Sequence, residues 1–375
     1  LKMKKICYVD EDGRFGGPQQ RMILVASELL KHGYKIDFVI PNQEVDIFKK
    51  KLQNFNLNYY QFNINRLSLR PKFLIRYIIF FFYEIFVLIK FFKKKKYDLI
   101  QANSTPQFKA IIASIILKMD SVWVIEDSYF PKIVVRIFKI LAKISKCKII
   151  YTSGRVNDFY FKNNFNKKNI KKEIFAPVDQ NQFNIMNRFN IPDYINKQKI
   201  TVTTVASLVP VKGIEYFIEA ADELYSKNKN LNFIIAGPEI SSQIKYSRMI
   251  KKKLEGKKYI KYIGMIDNVA ELLFSSQIFV CSSISEAGPI TVYEAMCMKL
   301  PIVTTDVGAC NQIIKQNING IIIKIKSTNE MVSAINKIAE DNEFRKSLAL
   351  NAYNFSKDFF SVKKIVGEYI KVYSL

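Results

Sequence analysis

Two carboxylates, Glu286 and Glu294, stand eight positions apart in the run Ser285-Glu286-Ala287-Gly288-Pro289-Ile290-Thr291-Val292-Tyr293-Glu294-Ala295-Met296. They flank a Gly-Pro step and an apolar helical run. Proline is favoured at the first helical position, and glycine lets a backbone approach a ligand closely. A helix beginning at Pro289 leaves Glu286 in the preceding loop and carries Glu294 about a turn and a half along. The free N–H groups of such a first turn attract anions, with roughly half a positive charge at the helix end. Phosphates would lie against backbone there, while the carboxylates accept hydrogen bonds from hydroxyls. A diphosphate between two polyhydroxylated rings, as in a nucleotide sugar, matches that layout. The alternative is a plain capping arrangement around a helix start.

The elements that must position these residues read as two successive α/β halves. A strand at 6–9 is followed by a loop with Gly13, Gly16 and Gly17, a helix at about 19–31, Gly33 and a strand at 35–40, which together make one βαβ unit. Further strands are expected at 97–102, 121–125 and 147–152. The stretch Phe175-Ala176-Pro177-Val178-Asp179 reads as the exit from this half. The second half has strands at 200–206, 231–236, 260–264, 278–281, 301–304 and 320–325, with helices at 214–226 and 269–274. The tail from about Asn342 is helical and amphipathic. Domains are therefore expected at 1–180 and 198–355, with a terminal helix at 356–375 that packs back on the first. A length of 375 residues suits about two domains, and 49% hydrophobic residues suffice for their cores.

The formal charge of +25 is mostly lysine, and the abundance of Lys, Asn and Ile reads as a coding bias. It is weak ground for nucleic-acid binding, which no recognition motif supports; a basic surface still favours anionic lipid headgroups or phosphorylated substrates. The five cysteines are scattered, odd in number and without Cys-x-x-Cys spacing, which argues against a zinc or disulfide framework and fits a reducing compartment. Asp10, Glu11 and Asp12 end the first apolar run too early for a signal peptide, and Met3 is the expected natural start. The aromatic segment Phe73 to Phe92, followed by four lysines, has spanning length but is interrupted by Arg76, Glu84 and Lys90. It reads as a helix packed within the first domain or as one lying in a membrane interface.

Three blocks resemble the retaining glycosyltransferases of the GT-B fold, family 4: Leu208-Val209-Pro210-Val211-Lys212-Gly213, Tyr262-Ile263-Gly264-Met265, and Ser285 to Met296 continued by Met298-Lys299-Leu300-Pro301-Ile302-Val303-Thr304-Thr305. The resemblance covers nearly the whole chain and is densest after residue 200. It implies two Rossmann-like doubly wound domains facing an interdomain cleft, and a hexosyltransferase-type activity. By that resemblance Glu294 accepts hydrogen bonds from ribose hydroxyls and Glu286 contacts hydroxyls of the donor sugar. The backbone of Gly288, Ile290 and Thr291 meets diphosphate or donor hydroxyls, with Pro289 in the same loop offering no N–H. Lys212 neutralises the β-phosphate, Gly264 and Met265 border the base, and Gly16 and Gly17 face the diphosphate.

Departures from the pattern shape the rest. Ser207 stands where the family usually places arginine, so Lys212 acts alone or another basic residue substitutes. The first-domain loops, usually carrying histidine, read Gln101-Ala102-Asn103-Ser104 and Glu126-Asp127-Ser128. Asn103 and Ser104 are assigned to the acceptor. Either Glu126 or Asp127 takes the place beside the transferred sugar, and the sequence does not choose between them. The single histidine, His32, ends a helix before Gly33 and reads as structural. The expected reaction retains anomeric configuration: the acceptor hydroxyl attacks on the face the diphosphate leaves, and the departing phosphate takes the proton. It calls for no metal and no cofactor beyond the nucleotide-sugar co-substrate, UDP-linked by expectation. Three rivals remain: a metal-dependent transferase using Asp10-Glu11-Asp12 as its metal motif, an epimerase or phosphorylase of the same fold, and a non-catalytic nucleic-acid binder. A lipid-linked or polysaccharide acceptor, as in bacterial capsule or O-antigen assembly, and a peripheral position on the inner face of the cytoplasmic membrane complete the expectation.

Overall fold

The computed structural model describes residues 4–68, 70–162 and 169–375, so Met3 lies outside the described residues. Contacts divide the chain into one unit of Leu1–Pro177 plus Val362–Leu375 and a second of Val178–Ser361.

The first unit has seven strands: β1 (Lys5–Val9), β2 (Lys35–Pro41), β3 (Asn58–Phe62), β4 (Leu99–Asn103), β5 (Asp120–Ile125), β6 (Lys148–Tyr151) and β7 (Lys171–Glu173). They are parallel, in the order β3-β2-β1-β4-β5-β6-β7. Its helices are α1 (Gly17–Lys31), α2 (Asp46–Asn54), α3 (Pro71–Lys95), α4 (Phe108–Leu117), α5 (Lys132–Ser145) and α6 (Gly154–Phe161). The central strands are short apolar runs buried on both faces, as parallel sheets covered by crossover helices require. The sequence order reverses between β1 and β4. In such a sheet, ligands bind beyond the carboxyl ends of the strands at that reversal.

The second unit repeats the plan. Strands β8 (Ile200–Val205), β9 (Leu231–Ala236), β10 (Ile260–Tyr262), β11 (Ile278–Cys281), β12 (Ile302–Thr305) and β13 (Ile321–Ile323) form a parallel sheet in the order β10-β9-β8-β11-β12-β13. Helices α7 (Ile214–Lys227), α8 (Ile244–Leu254), α9 (Val269–Phe274), α10 (Ile290–Cys297), α11 (Cys310–Ile313), α12 (Thr328–Glu340) and α13 (Asn342–Phe359) surround it. Here the reversal lies between β8 and β11. The two key loops leave these neighbouring strands at their carboxyl ends.

Both domain boundaries differ from the sequence reading. Residues 178–197 join the second unit, where the Val178 N–H donates to the Phe360 carbonyl at 2.9 Å. The tail is two helices: α13 ends at Phe359, and α14 (Val362–Ser374) packs on α1 in the first unit. Phe360 marks the break, with its ring stacked on Tyr293 at 4.2 Å between centroids. Beyond it Ile365, Val366, Tyr369, Val372 and Tyr373 enter the first unit's core. The Tyr373 hydroxyl hydrogen-bonds that of Tyr8 at 2.8 Å and donates to Gln101.

α3 covers the segment read as aromatic and basic. Its inward face buries Tyr77, Ile85, Leu88 and Phe92, and its one acid, Glu84, faces inward with them. Lys109 of α4 reaches that carboxylate at 2.6 Å. Among the described residues, no helix is long and apolar enough to cross a membrane.

Candidate active site

Lys212 ends a short 3-10 turn, Pro210–Lys212, after β8. Gly213 then reverses the chain with φ +59°, a left-handed conformation that glycine adopts without steric cost. A Cβ there would lie 2.3 Å from the Ser282 carbonyl oxygen, so glycine is required twice over. The close approach lets this loop lace to the one after β11. Ser282 Oγ donates to the Lys212 carbonyl at 3.0 Å, and the Ile284 N–H donates to the Val211 carbonyl at 2.7 Å.

That lacing brings Lys212 Nζ onto Glu286 Oε1 in an ion pair, and Ser283 Oγ donates to the same oxygen at 2.8 Å. Burial alone would push the Lys212 pKa down, but the Glu286 carboxylate outweighs it and holds the ammonium above its ordinary value. The side chains keep 26% and 14% of their exposure, so the pair remains open to a ligand.

α10 begins at Ile290 with Pro289 as its N-cap, one residue later than the sequence reading placed it. Val292 N–H closes the first turn on the Pro289 carbonyl at 2.9 Å. By position, the N–H groups of Ile290 and Thr291 lack intrahelical partners, as first-turn donors do. Gly308 supports the turn from behind: its φ is +53°, and a Cβ would meet the Ala287 carbonyl at 3.0 Å and Pro289 at 3.1 Å. Glu294 lies inside the helix and is 8% exposed. Desolvation, then the nearby Asp179 charge, pushes its pKa up to about 8. At neutral pH the unliganded carboxyl is thus largely protonated and can both donate to and accept from a diol.

The remaining second-unit residues border the same edge. Ser207 is half-buried, and its carbonyl accepts from Val209 N–H at 2.8 Å. Gly264 follows β10 with φ +70°, its carbonyl accepting from Gly237 N–H at 2.7 Å, and Met265 beside it is exposed. Lys212, Glu286, Gly288, Pro289, Ile290 and Thr291 therefore come from two loops at the sheet's reversal. Ser283 and Asp179 went unread; the Ser-rich run before Glu286 was a signal for the first, while Asp179 carried none.

The first-unit candidates are differently placed. Gly16 is the extended N-cap of α1, and a Cβ there would meet only ordinary contacts, the nearest at 3.6 Å; Gly17 opens that helix. Asn103 is buried at the end of β4, with its amide bonded to Gln101 and to the Val9 carbonyl. Ser104 has φ +75°, and its carbonyl accepts from Trp123 Nε1 at 2.9 Å. Glu126 is ion-paired at 3.3 Å with buried Arg21, whose guanidinium stacks over Tyr369. Burial raises the Glu126 pKa against that pairing. Asp127 accepts from the Tyr160 hydroxyl and the Thr105 N–H, both neutral donors, and burial pushes it up to about 6.

The acids of Asp10-Glu11-Asp12 diverge. Asp10 accepts from Gln19 at 2.8 Å, Glu11 faces Lys109 at 3.2 Å, and Asp12 pairs with Arg14 and Arg66. Among the described residues, no three of His, Cys, Asp or Glu group as a metal site. All five cysteines are buried without disulfides. His32 caps α1 at its carboxyl end.

Residues 184–355 match the family model described as glycosyl transferases group 1. A glycosyltransferase of Methanocaldococcus jannaschii, itself uncharacterized, is 27% identical over 347 residues, 89% of this chain and 81% of that one. The UDP-Gal:alpha-D-GlcNAc-diphosphoundecaprenol alpha-1,3-galactosyltransferase of Escherichia coli is 23% identical over 180 residues, 46% of each chain, so this alignment spans less than half of that enzyme. The crystal structure of Anabaena HepE in complex with UDP and glucose superimposes with a TM-score of 0.84 at 18% identity, covering 99% of both chains. The two parallel-sheet units thus have the GT-B fold, and residues 184–355 are similar to the glycosyl transferases group 1.

Proposed function

We propose that the protein transfers a hexosyl group from a UDP-sugar to a lipid-linked or polysaccharide acceptor, with retention and without a metal ion. The observation that carries this reading is the partly exposed Lys212–Glu286 pair beside the first turn of α10, at the reversal of the second sheet. An ammonium and two free backbone N–H groups suit a diphosphate. Glu286 then takes hydroxyls of the sugar, and Glu294 takes the ribose diol. Gly264 and Met265 border the base. Anabaena HepE binds UDP and glucose, and the E. coli relative is named for UDP-galactose and a diphosphoundecaprenol acceptor; both support the donor and acceptor classes chosen here.

In the proposed step the acceptor O–H attacks the anomeric carbon as the bond from that carbon to the β-phosphate oxygen breaks. The acceptor proton passes to that leaving oxygen. Lys212 stabilises the charge growing there, the kind of preorganised contribution that dominates many active sites. Of the two first-unit acids, Glu126 is already neutralised by Arg21, so Asp127, whose partners are neutral, is the one assigned to the acceptor side. The separate engagements of Asp10, Glu11 and Asp12 support the metal-free reading. Use of a lipid-linked acceptor implies a peripheral place on the inner face of the cytoplasmic membrane.

The test is incubation with a UDP-hexose and a diphospholipid-linked sugar in excess EDTA, followed by NMR of the new linkage. The expected product keeps the donor's anomeric configuration. An inverted product, or turnover abolished by EDTA and restored by a divalent cation, overturns the mechanism.

A further inference from the structure

The helical layer α3–α4–α5 buries one face and leaves another bare. α3 and α5 both pack against α4, so they flank it on one side of the first sheet. On α5, Val134, Phe138 and Ala142 are buried, while Ile133, Ile137, Ile140 and Ile144 are all exposed. Immediately before each of these isoleucines stands a cation: Lys132, Arg136, Lys139 and Lys143. The helix thus carries three parallel stripes: core, exposed apolar and basic. On α3, Ile75, Ile79, Phe82 and Phe86 follow the same spacing, with Phe82 80% exposed. Lys90, Lys93 and Lys94 continue toward its carboxyl end. Neither α4 nor α5 contains an acid, and the single acid of α3, Glu84, is buried against Lys109.

We propose that this face docks on an anionic phospholipid bilayer, with the isoleucine and phenylalanine stripes at the acyl boundary and the cations among the headgroups. The chemistry selects this occupant. Interfacial helices pair an apolar stripe with flanking Lys and Arg, and bind through both. A second copy would bring two acid-free, cationic faces together, which like-charge repulsion opposes. A nucleic acid would leave the aliphatic stripes facing water. This inference gives a surface to the peripheral-membrane part of the proposed function and rests on that reading only there. The vesicle assay below uses neither donor nor acceptor, so its failure and a failure of the transferase reading are distinguishable.

The full chain is sedimented with phosphatidylglycerol vesicles and, in parallel, with phosphatidylcholine vesicles. Binding is expected to the first, weakened by salt, and to be much lower with the second. The triple variant Lys132→Ser/Arg136→Ser/Lys143→Ser should lower partitioning on the order of a hundredfold, from the contribution of each basic residue near an anionic surface. Ile140→Ser/Ile144→Ser should also reduce it. All five positions are exposed, so circular dichroism and UDP-induced thermal shift should stay as in the parent chain. The proposal is overturned if the parent chain stays in the supernatant with phosphatidylglycerol, or if both variants sediment like it. It is equally overturned by a concentration-dependent dimer that the isoleucine variant dissolves without any vesicle binding, or by retention on RNA in place of vesicles.

Discussion

The carboxyl edges of the two sheets treat their charges in opposite ways. In the second unit, Lys212 and Glu286 meet each other but stay partly exposed, and the first turn of α10 opens beside them. In the first unit, two ionic clusters close in the interior, Arg21 on Glu126 and Lys109 on Glu11 and Glu84, while Asp12 stays partly exposed but is held by both Arg14 and Arg66. Desolvating an ion is expensive, and an interior pair largely offsets that expense without leaving capacity for a ligand. An ion pair kept at the surface gives up little stability when a phosphate replaces the carboxylate. The contrast separates charges committed to the interior from charges left accessible to a ligand.

Removing one partner from each kind should break the comparison in different observables. Lys109→Met leaves two buried carboxylates uncompensated and should lower stability by about 3–5 kcal/mol, read by chemical denaturation. The loss should shrink at low pH, because burial already lifts Glu11 to about 7 and protonation removes its charge. Lys212→Ala should leave the denaturation midpoint nearly unchanged and lower kcat by about 10²–10³, the scale of one lost transition-state donor. Equal damage to stability in both variants would erase the distinction.

Glu294 sharpens it further, as a buried acid without a cation. Its pKa rises from 4.5 to about 8 on folding. The stability linked to its proton is fully present below about pH 4.5 and is lost as pH rises through about 8. Glu294→Gln removes that loss, so its thermal midpoint should match the parent's near pH 5 and exceed it near pH 9, by roughly 2–4 °C for each kcal/mol. The same variant should weaken UDP binding. A midpoint difference independent of pH would contradict the burial argument. The smallest effect is expected from Ser283→Ala, which removes one hydrogen bond to Glu286 and should cost about 0.5–1.5 kcal/mol of donor affinity, read by calorimetry.

Sequence and structure agree best where chemistry is contiguous in the chain. The loop and helix from Ser285 to Met296, and the turn ending in Lys212-Gly213, were legible because neighbouring residue types imply the backbone that joins them. The apolar runs of β1, β2, β5, β8 and β9 were legible for the same reason. β3 and β7 were not: Asn58–Phe62 is half-exposed, and Lys171–Glu173 contains no apolar residue. The break at Phe360 depends on a ring stacked against Tyr293, a contact between distant residues that no local pattern carries. Glu84 looked like a charge interrupting an apolar segment. Its partner Lys109 sits on the next helix, and only the packing of α3 on α4 reveals that it is neutralised. Arg21 and Glu126 were hidden in the same way, so the sequence alone left Glu126 and Asp127 equal.

The central claim is that Lys212 and Glu294 grip a nucleoside diphosphate without help from a metal. A thermal-shift titration with UDP in excess EDTA tests it most directly, using the full chain, Lys212→Ala and Glu294→Ala. A ligand that binds only the folded state stabilises it by about 2.7 kcal/mol at a hundred times its Kd. The account predicts a clear rise in the parent midpoint and a much smaller rise in each variant at the same UDP concentration. An equal rise in all three, or none in the parent with UDP, GDP or ADP, would contradict it.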